Sequence, residues 1–389
     1  MSAAQDTTLR VAICGGGRTG HLNAVLFGQR PDVEVRMLTG NDGLVERHRH
    51  GGVIRALLPD GSELAARPAE IGSDPAAIVG DADIVLITQP ANARLEVLRQ
   101  IAPHLATDKP VFVGAIPGFC GFDWLAEHVL GERDNVVIWG MKDVPHTAFE
   151  LVPGRSVRMG GAKSLLHVAT HDRESAGSGR QLQAHLARLY EAPVELLRSY
   201  LEITLTPGNP IMHSSVIYGL IGPYGQWSGR AFTDLLCWWS DCPEIGAYFL
   251  ERCDAESQAL CKRIEERLKV DLSSVRPLKD EIVEAYGDQI ADPHTMLSVL
   301  RTNRAYAGIR APLVEAEKPG RLVMDRSSRA FQEDIAFGLA LLVEMGRRMD
   351  VRLPHIEEIF DWSVAYMGGL KASSLDYFPA RWPAEESWS

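Results

Sequence analysis

A glycine-rich turn, Gly15-Gly16-Gly17-Arg18-Thr19-Gly20, stands between an apolar run at residues 9–14 and an amphipathic run at residues 21–29. It limits the fold more than any other feature of the chain. A strand, a tight glycine turn and a helix, in that order, form the place where a dinucleotide fold holds a pyrophosphate. The spacing gives Gly15, Gly17 and Gly20 separate tasks: a tight turn, close backbone approach to phosphate, and close helix–strand packing. Phosphate then sits at the helix N-terminus, near Arg18 and Thr19. Glycines also serve ordinary strand-to-helix turns, so the flanking strand and helix carry the assignment.

At 389 residues the chain exceeds one typical core, and two domains are expected, residues 1–200 and 201–389. A formal net charge of −11 argues against a nucleic-acid or anionic-membrane surface, because each needs a positive field. Small-molecule partners are expected instead. Residues 1–8 are polar and lack a signal-peptide apolar centre, and no apolar run is long enough to span a bilayer, so a cytoplasmic protein is expected. Cys14, Cys120, Cys237, Cys242, Cys253 and Cys261 form no Cys-x-x-Cys pair and have no histidine-rich cluster beside them. Reduced structural thiols, and no metal site, are expected.

The first half alternates short apolar runs, at residues 33–38, 84–88, 111–116 and 136–139, with helical stretches at 92–102 and 123–130. That alternation predicts an α/β fold with a doubly wound, Rossmann-type parallel sheet and a ligand crevice at the strand carboxyl ends. Thr88-Gln89-Pro90 and Ile116-Pro117-Gly118 are expected to line it. A polar segment at 170–180, a helix at 181–190 and a β-rich stretch at 194–205 place the boundary between residues 190 and 205. Beyond Pro210 the pattern turns mostly α-helical, with long amphipathic runs at 244–268, 280–286 and 332–349.

Two segments carry candidate chemistry. In Thr206-Pro207-Gly208-Asn209-Pro210-Ile211-Met212-His213, Asn209 is an expected N-cap and Pro210 the first helical residue, which puts His213 about one turn inside a helix. Its neighbours Ile211, Met212, Val216 and Ile217 are apolar, so a satisfied core histidine and a catalytic one both fit the pattern. The second segment, Ser328-Arg329-Ala330-Phe331-Gln332-Glu333-Asp334-Ile335, opens a strongly apolar helix. Acids there also simply answer the helix dipole.

The chain resembles the opine dehydrogenases. The resemblance lies in the glycine turn, in Asn209-Pro210-Ile211-Met212-His213, in Asn303-Arg304-Ala305-Tyr306-Ala307-Gly308-Ile309, and in residues 329–338 with their Glu333-Asp334-Ile335 core. Residues 341–346 with Leu353-Pro354 also fit. It implies that His213 and Asp334 form an acid–base pair, and that Arg329 binds a substrate carboxylate through its planar fork. An ion pair is the alternative for Arg329. Asn209 is implied to combine capping with substrate contact. Thr147, in Val144-Pro145-His146-Thr147, resembles another substrate-facing position, although Phe149 stands where a basic residue is expected. The implied chemistry is NAD(P)H-dependent reductive condensation of an amino-acid amine with a 2-oxo acid through an iminium. A homodimer built through the helical domain is the implied assembly.

At the end of the second strand, Thr39 stands where an acidic residue that accepts the ribose hydroxyls of NAD would be. With Arg18 able to add positive charge, NADPH is the expected cofactor; Asp42 keeps NAD open. Pro90 is expected to join the glycine turn in holding it. Aromatic clusters at Pro223-Tyr224-Gly225-Gln226-Trp227 and Cys237-Trp238-Trp239 suit either an apolar side-chain pocket or plain core packing. A simple 2-oxo-acid or 2-hydroxy-acid reductase and a non-catalytic nucleotide-binding protein are the competing readings.

Overall fold

In a computed structural model, residues 8–225 and 231–383 are described. Gln226 and Trp227 of the first aromatic cluster, and residues 1–7 of the polar N-terminus, lie outside the described residues. The chain divides into two compact units, one reaching Thr204 and one starting at Leu205.

The first unit is built on an eight-stranded sheet. Numbered in chain order within the sheet, its strands lie 3-2-1-4-5-6-7-8, and they are Leu9–Cys14, Val33–Leu38, Glu70–Gly72, Ile84–Ile87, Val111–Ala115, Val136–Met141, Leu166–Thr170 and Val194–Leu196. The first six pair in parallel, and Leu166–Thr170 turns antiparallel against Val136–Met141. Helices cover a parallel sheet on both faces, so its strands read as continuous apolar runs. Every residue of Ile84–Ile87 and Val111–Ala115 is buried, as that rule requires. Strand order reverses between Leu9–Cys14 and Ile84–Ile87, and the crevice of such a fold opens at that switch point.

A second sheet was not legible from the pattern. Its strands run in the order Glu63–Ala66, Ile54–Leu57, Ser156–Ala162 and His146–Val152, bringing together segments about a hundred residues apart. The sheet packs on the helix Arg18–Phe27. The expected β-rich stretch at 194–205 is corrected too: the strand stops at Leu196 and the short helix Leu201–Thr204 follows.

The second unit is mostly helical, with a small hairpin, Leu313–Glu315 and Leu322–Met324. Its central helix, Asn209–Ile221, is apolar on all sides and buried accordingly. Two close approaches fix its neighbours. A Cβ on Gly219 would lie 2.5 Å from Gly246 Cα in the helix Glu244–Leu268, and one on Gly338 would lie 2.5 Å from the Pro210 ring. The helix Pro354–Met367 is capped from outside, since the Glu256 carboxylate accepts from the His355 and Ile356 N–H groups at 3.0 and 3.1 Å. No described helix is long and apolar enough to cross a membrane.

Candidate active site

The three glycines of the turn differ in what surrounds them. Gly15 has φ +132°, and a Cβ there would meet Thr88 Oγ1 at 2.5 Å. On Gly20 a Cβ would overlap the Gly15 carbonyl oxygen at 2.0 Å, whereas on Gly17 it would meet nothing within 4 Å. The turn is therefore closed underneath and open at Gly17. The helix Arg18–Phe27 starts there without a side-chain cap and without an acid in its first turn, leaving its N–H groups to an anion. These residues fit the pyrophosphate of a dinucleotide.

Around the turn, Arg18 is exposed and has no acidic partner among the described residues, and Thr19 is half-buried. Thr39 is buried; its Oγ1 accepts the Asn41 N–H at 3.2 Å and would lie 2.7 Å from a Cβ on Gly16. Asn41 caps the helix Asp42–Arg49, placing Asp42 in an exposed first turn. Pro90 occupies the cap position of Ala91–Ile101.

Two buried side chains that sequence reasoning passed over hold this region. His21 donates from Nδ1 to the Gly17 carbonyl at 3.0 Å and accepts the Gly154 N–H at Nε2, 2.8 Å away. Burial pushes its pKa below the usual range, because the charged ring has no solvent. Arg94, 1% exposed, donates to the carbonyls of Gln89, Pro117 and Phe119 at 3.1, 2.8 and 2.9 Å, tying the two loops expected to line the crevice.

In the second unit, His213 Nδ1–H donates to Asp334 Oδ2 at 2.8 Å. Pro210 meets Gly338 on one side and His213 meets Asp334 one turn on, so the two helices cross antiparallel. The Asp334 helix, Ala330–Leu339, is a π-helix, and the Ala340 N–H closing it reaches back to the Ile335 carbonyl, five residues away. Such helices are rare and concentrate at functional sites. Asp334 is 2% exposed and His213 20%, so protons reach the pair through the imidazole. Burial raises the Asp334 pKa, and the hydrogen bond from His213 opposes that rise. With Nδ1 committed to the carboxylate, Nε2 is the free proton site.

One face of the imidazole is covered. The Trp238 ring stacks on it at 4.5 Å and 23°, and Trp239 stacks at 5.5 Å and 22°. Both indoles are buried, and Tyr306 continues the aromatic layer 5.3 Å from Trp239.

The other expected residues are placed less centrally. Arg329 is an exposed guanidinium whose Nε donates to the buried Glu333 Oε2 at 2.7 Å, with Nη2 on the same oxygen. Asn209 is exposed at the start of the His213 helix. It is the first helical residue rather than the cap, which is Gly208, and no side chain caps that helix. Thr147 belongs to the first unit, exposed on the strand His146–Val152. Across the strands the Arg158 guanidinium lies 5.2 Å from the Phe149 ring and is ion-paired with Glu150 at 2.8 Å.

Residues 196–367 match the family described as NAD/NADP octopine/nopaline dehydrogenase, alpha-helical domain. Octopine dehydrogenase of Mizuhopecten yessoensis is 27% identical over 372 residues, covering 93% of this chain and 90% of its own. The chain belongs to the opine dehydrogenase family. A nearer relative, uncharacterized protein y4xO of Sinorhizobium fredii, is 59% identical over 376 residues, 96% of this chain and 99% of its own. The fold is that of an octopine dehydrogenase solved with NADH and L-arginine, with TM-score 0.80, 24% identity and coverage of 93% and 90%. It is also that of yersinopine dehydrogenase solved with NADP+, with TM-score 0.65, 15% identity and coverage of 93% and 91%. As a family member the chain is an NAD(P)-dependent oxidoreductase.

Proposed function

We propose that this opine dehydrogenase joins the amine of an amino acid to a 2-oxo acid. The amine adds to the ketone, water leaves to give an iminium, and reduction gives a secondary amine bearing both carboxylates. The bound dinucleotide supplies the hydride. The observation that carries the reading is the His213–Asp334 pair, with one nitrogen committed, one free, and a carboxylate shielded from solvent.

His213 gives the Nε2 proton to the departing hydroxyl, which leaves as water, and takes a proton back from the amine. Asp334 fixes the tautomer and compensates the imidazolium without changing its own charge. Arg329 keeps one edge on Glu333 and turns its remaining Nη1 to a substrate carboxylate. Asn209, Thr147 and Pro90 belong to the same reading as substrate and cofactor contacts. NADPH is the favoured reductant, supported by Arg18 and by a threonine where an acid would select NADH. An amino acid as amine donor is supported by the L-arginine in the solved octopine dehydrogenase.

Oxidation of NADPH should require oxo acid and amino acid together. Pyruvate, 2-oxoglutarate and glyoxylate, crossed with amino acids, would expose both partners, with mass spectrometry of the secondary amine as the readout. Rapid oxidation by oxo acid alone, yielding a hydroxy acid, replaces this reading with a simple reductase. Arg329→Lys should raise KM for the oxo acid about tenfold while leaving dinucleotide Kd unchanged, because an ammonium cannot repeat a planar contact.

A further inference from the structure

A cleft of about 730 Å³ opens in the first unit beside the helix Asp42–Arg49, walled by Asn41, Gly43, Arg47, His50, Arg55 and Arg155. Its charges are unevenly compensated. Arg55 is paired with Glu63, and Glu46, also on the wall, faces Arg49 at 3.7 Å and His50 at 3.4 Å. Arg47 spends Nε on the Gly154 carbonyl at 2.8 Å and, like Arg155, has no carboxylate partner among the described residues. Two uncompensated guanidiniums on one cleft are conspicuous in a chain of net charge −11.

The cleft adjoins the nucleotide turn. Leu44, on its wall, would lie 3.4 Å from a Cβ on Gly16 and 3.5 Å from one on Gly154, and Gly154 is the residue that His21 ties to Gly17. Asn41 and Gly43 line it two and four residues beyond Thr39, while Asp42, the carboxylate between them, is not on the wall. The cleft therefore runs beside the end of the strand Val33–Leu38 and the start of the helix Asp42–Arg49, and Arg47 and Arg155 on its wall leave it cationic.

We propose that this cleft receives the 2′-phosphate of NADP(H), with Arg155 and Arg47 setting cofactor preference; this rests on the reading that the glycine turn holds a dinucleotide. Guanidinium forks match phosphate oxygens in pairs. Arg155 lies in the turn between the second sheet's strands His146–Val152 and Ser156–Ala162, and His21 and Arg47 both bond Gly154 in that turn.

The test is equilibrium binding to the full chain without oxo acid or amine, using NADPH, NADH, 2′,5′-ADP, 5′-ADP and inorganic phosphate. The wild type should bind 2′,5′-ADP more tightly than 5′-ADP. Arg155→Ala should weaken NADPH and 2′,5′-ADP about 10- to 100-fold, the loss expected for a hydrogen bond between charged groups, and leave NADH and 5′-ADP within about twofold. Arg155→Lys should fall between. Arg47→Gln should act in the same direction, with circular dichroism checking that the Gly154 turn survives. Equal affinity of the wild type for the two ADP isomers, or Arg155→Ala losing NADH and NADPH alike, overturns the assignment. So does inorganic phosphate competing as well as 2′,5′-ADP, which would make the cleft a free-anion site. Binding of none of the nucleotides sinks the dinucleotide reading as well, while the opine reaction stands or falls separately on its secondary-amine product.

Discussion

The two units build their candidate sites from opposite materials. In the first, recognition rests on what is missing: side chains absent from Gly15, Gly17 and Gly20 and an uncapped helix start. In the second, chemistry rests on side chains brought across a helix crossing, His213 and Asp334 being 121 residues apart in sequence. A backbone-built site fails when atoms are added. A side-chain-built site fails when they are removed.

The largest effect should come from adding one carbon. Gly20→Ala places a methyl 2.0 Å from the Gly15 carbonyl, which must move, so nucleotide binding should drop more than about 100-fold with a lower melting temperature. Gly17→Ala projects into open space, so the melting temperature should hold while dinucleotide Kd rises about tenfold, the new methyl blocking phosphate approach. Unchanged Kd in Gly17→Ala would remove the cradle from Gly17.

Removal in the second unit should cost about 100-fold in kcat for His213→Ala and for Asp334→Asn, with dinucleotide Kd unaffected. The double variant should lose little more than either, because the pair acts as one. Additive losses would mean two independent roles.

Trp238 tests whether the second site extends beyond the pair. An indole face against an imidazolium is worth roughly 1–2 kcal/mol, so Trp238→Leu should lower kcat about tenfold and Trp238→Phe much less. Equal activity in both variants would reduce the stack to packing.

The smallest effect joins the two principles, since His21 is a side chain serving a backbone site. Its pKa is lowered in the fold, so the neutral ring is the native form, and its stabilising contribution, complete at neutral pH, is lost as pH falls below the unfolded value near 6.5. Protonated Nε2 cannot accept the Gly154 N–H. His21→Gln should therefore flatten part of the fall in melting temperature between pH 7 and pH 5.5; an unchanged slope would assign that fall to other histidines.

Legibility in the sequence followed the same division. Residues 84–87 and 111–115 were readable to within a residue, because strands buried on both faces must be apolar throughout, whereas Val33–Leu38, half-buried and carrying Glu34 and Arg36, was readable from its remaining apolar residues. The glycine turn was readable because its requirements are local. His213 and Asp334 were ambiguous by pattern, since nothing local distinguishes a packed histidine from one that finds a carboxylate 121 residues on, and only family resemblance singled them out. The second sheet escaped because Ile54–Leu57 completes its pairing with Ser156–Ala162. Trp238 was visible as an aromatic, but its partner was not. Arg155 carried no signal at all, since its role depends on a turn folded against a helix from another segment.

The π-helix at Ala330–Leu339 makes Asp334 a matter of counting. Each turn spends one residue more than an α-turn, so the placement of the carboxylate depends on chain length as well as on residue identity. Deleting a single residue here, though chemically trivial, would remove the extra residue that a wide turn holds and let that turn rewind as an ordinary α-turn. Such a deletion, which leaves the Glu333-Asp334-Ile335 core in place, tests whether the wide-turn geometry itself holds Asp334 against His213.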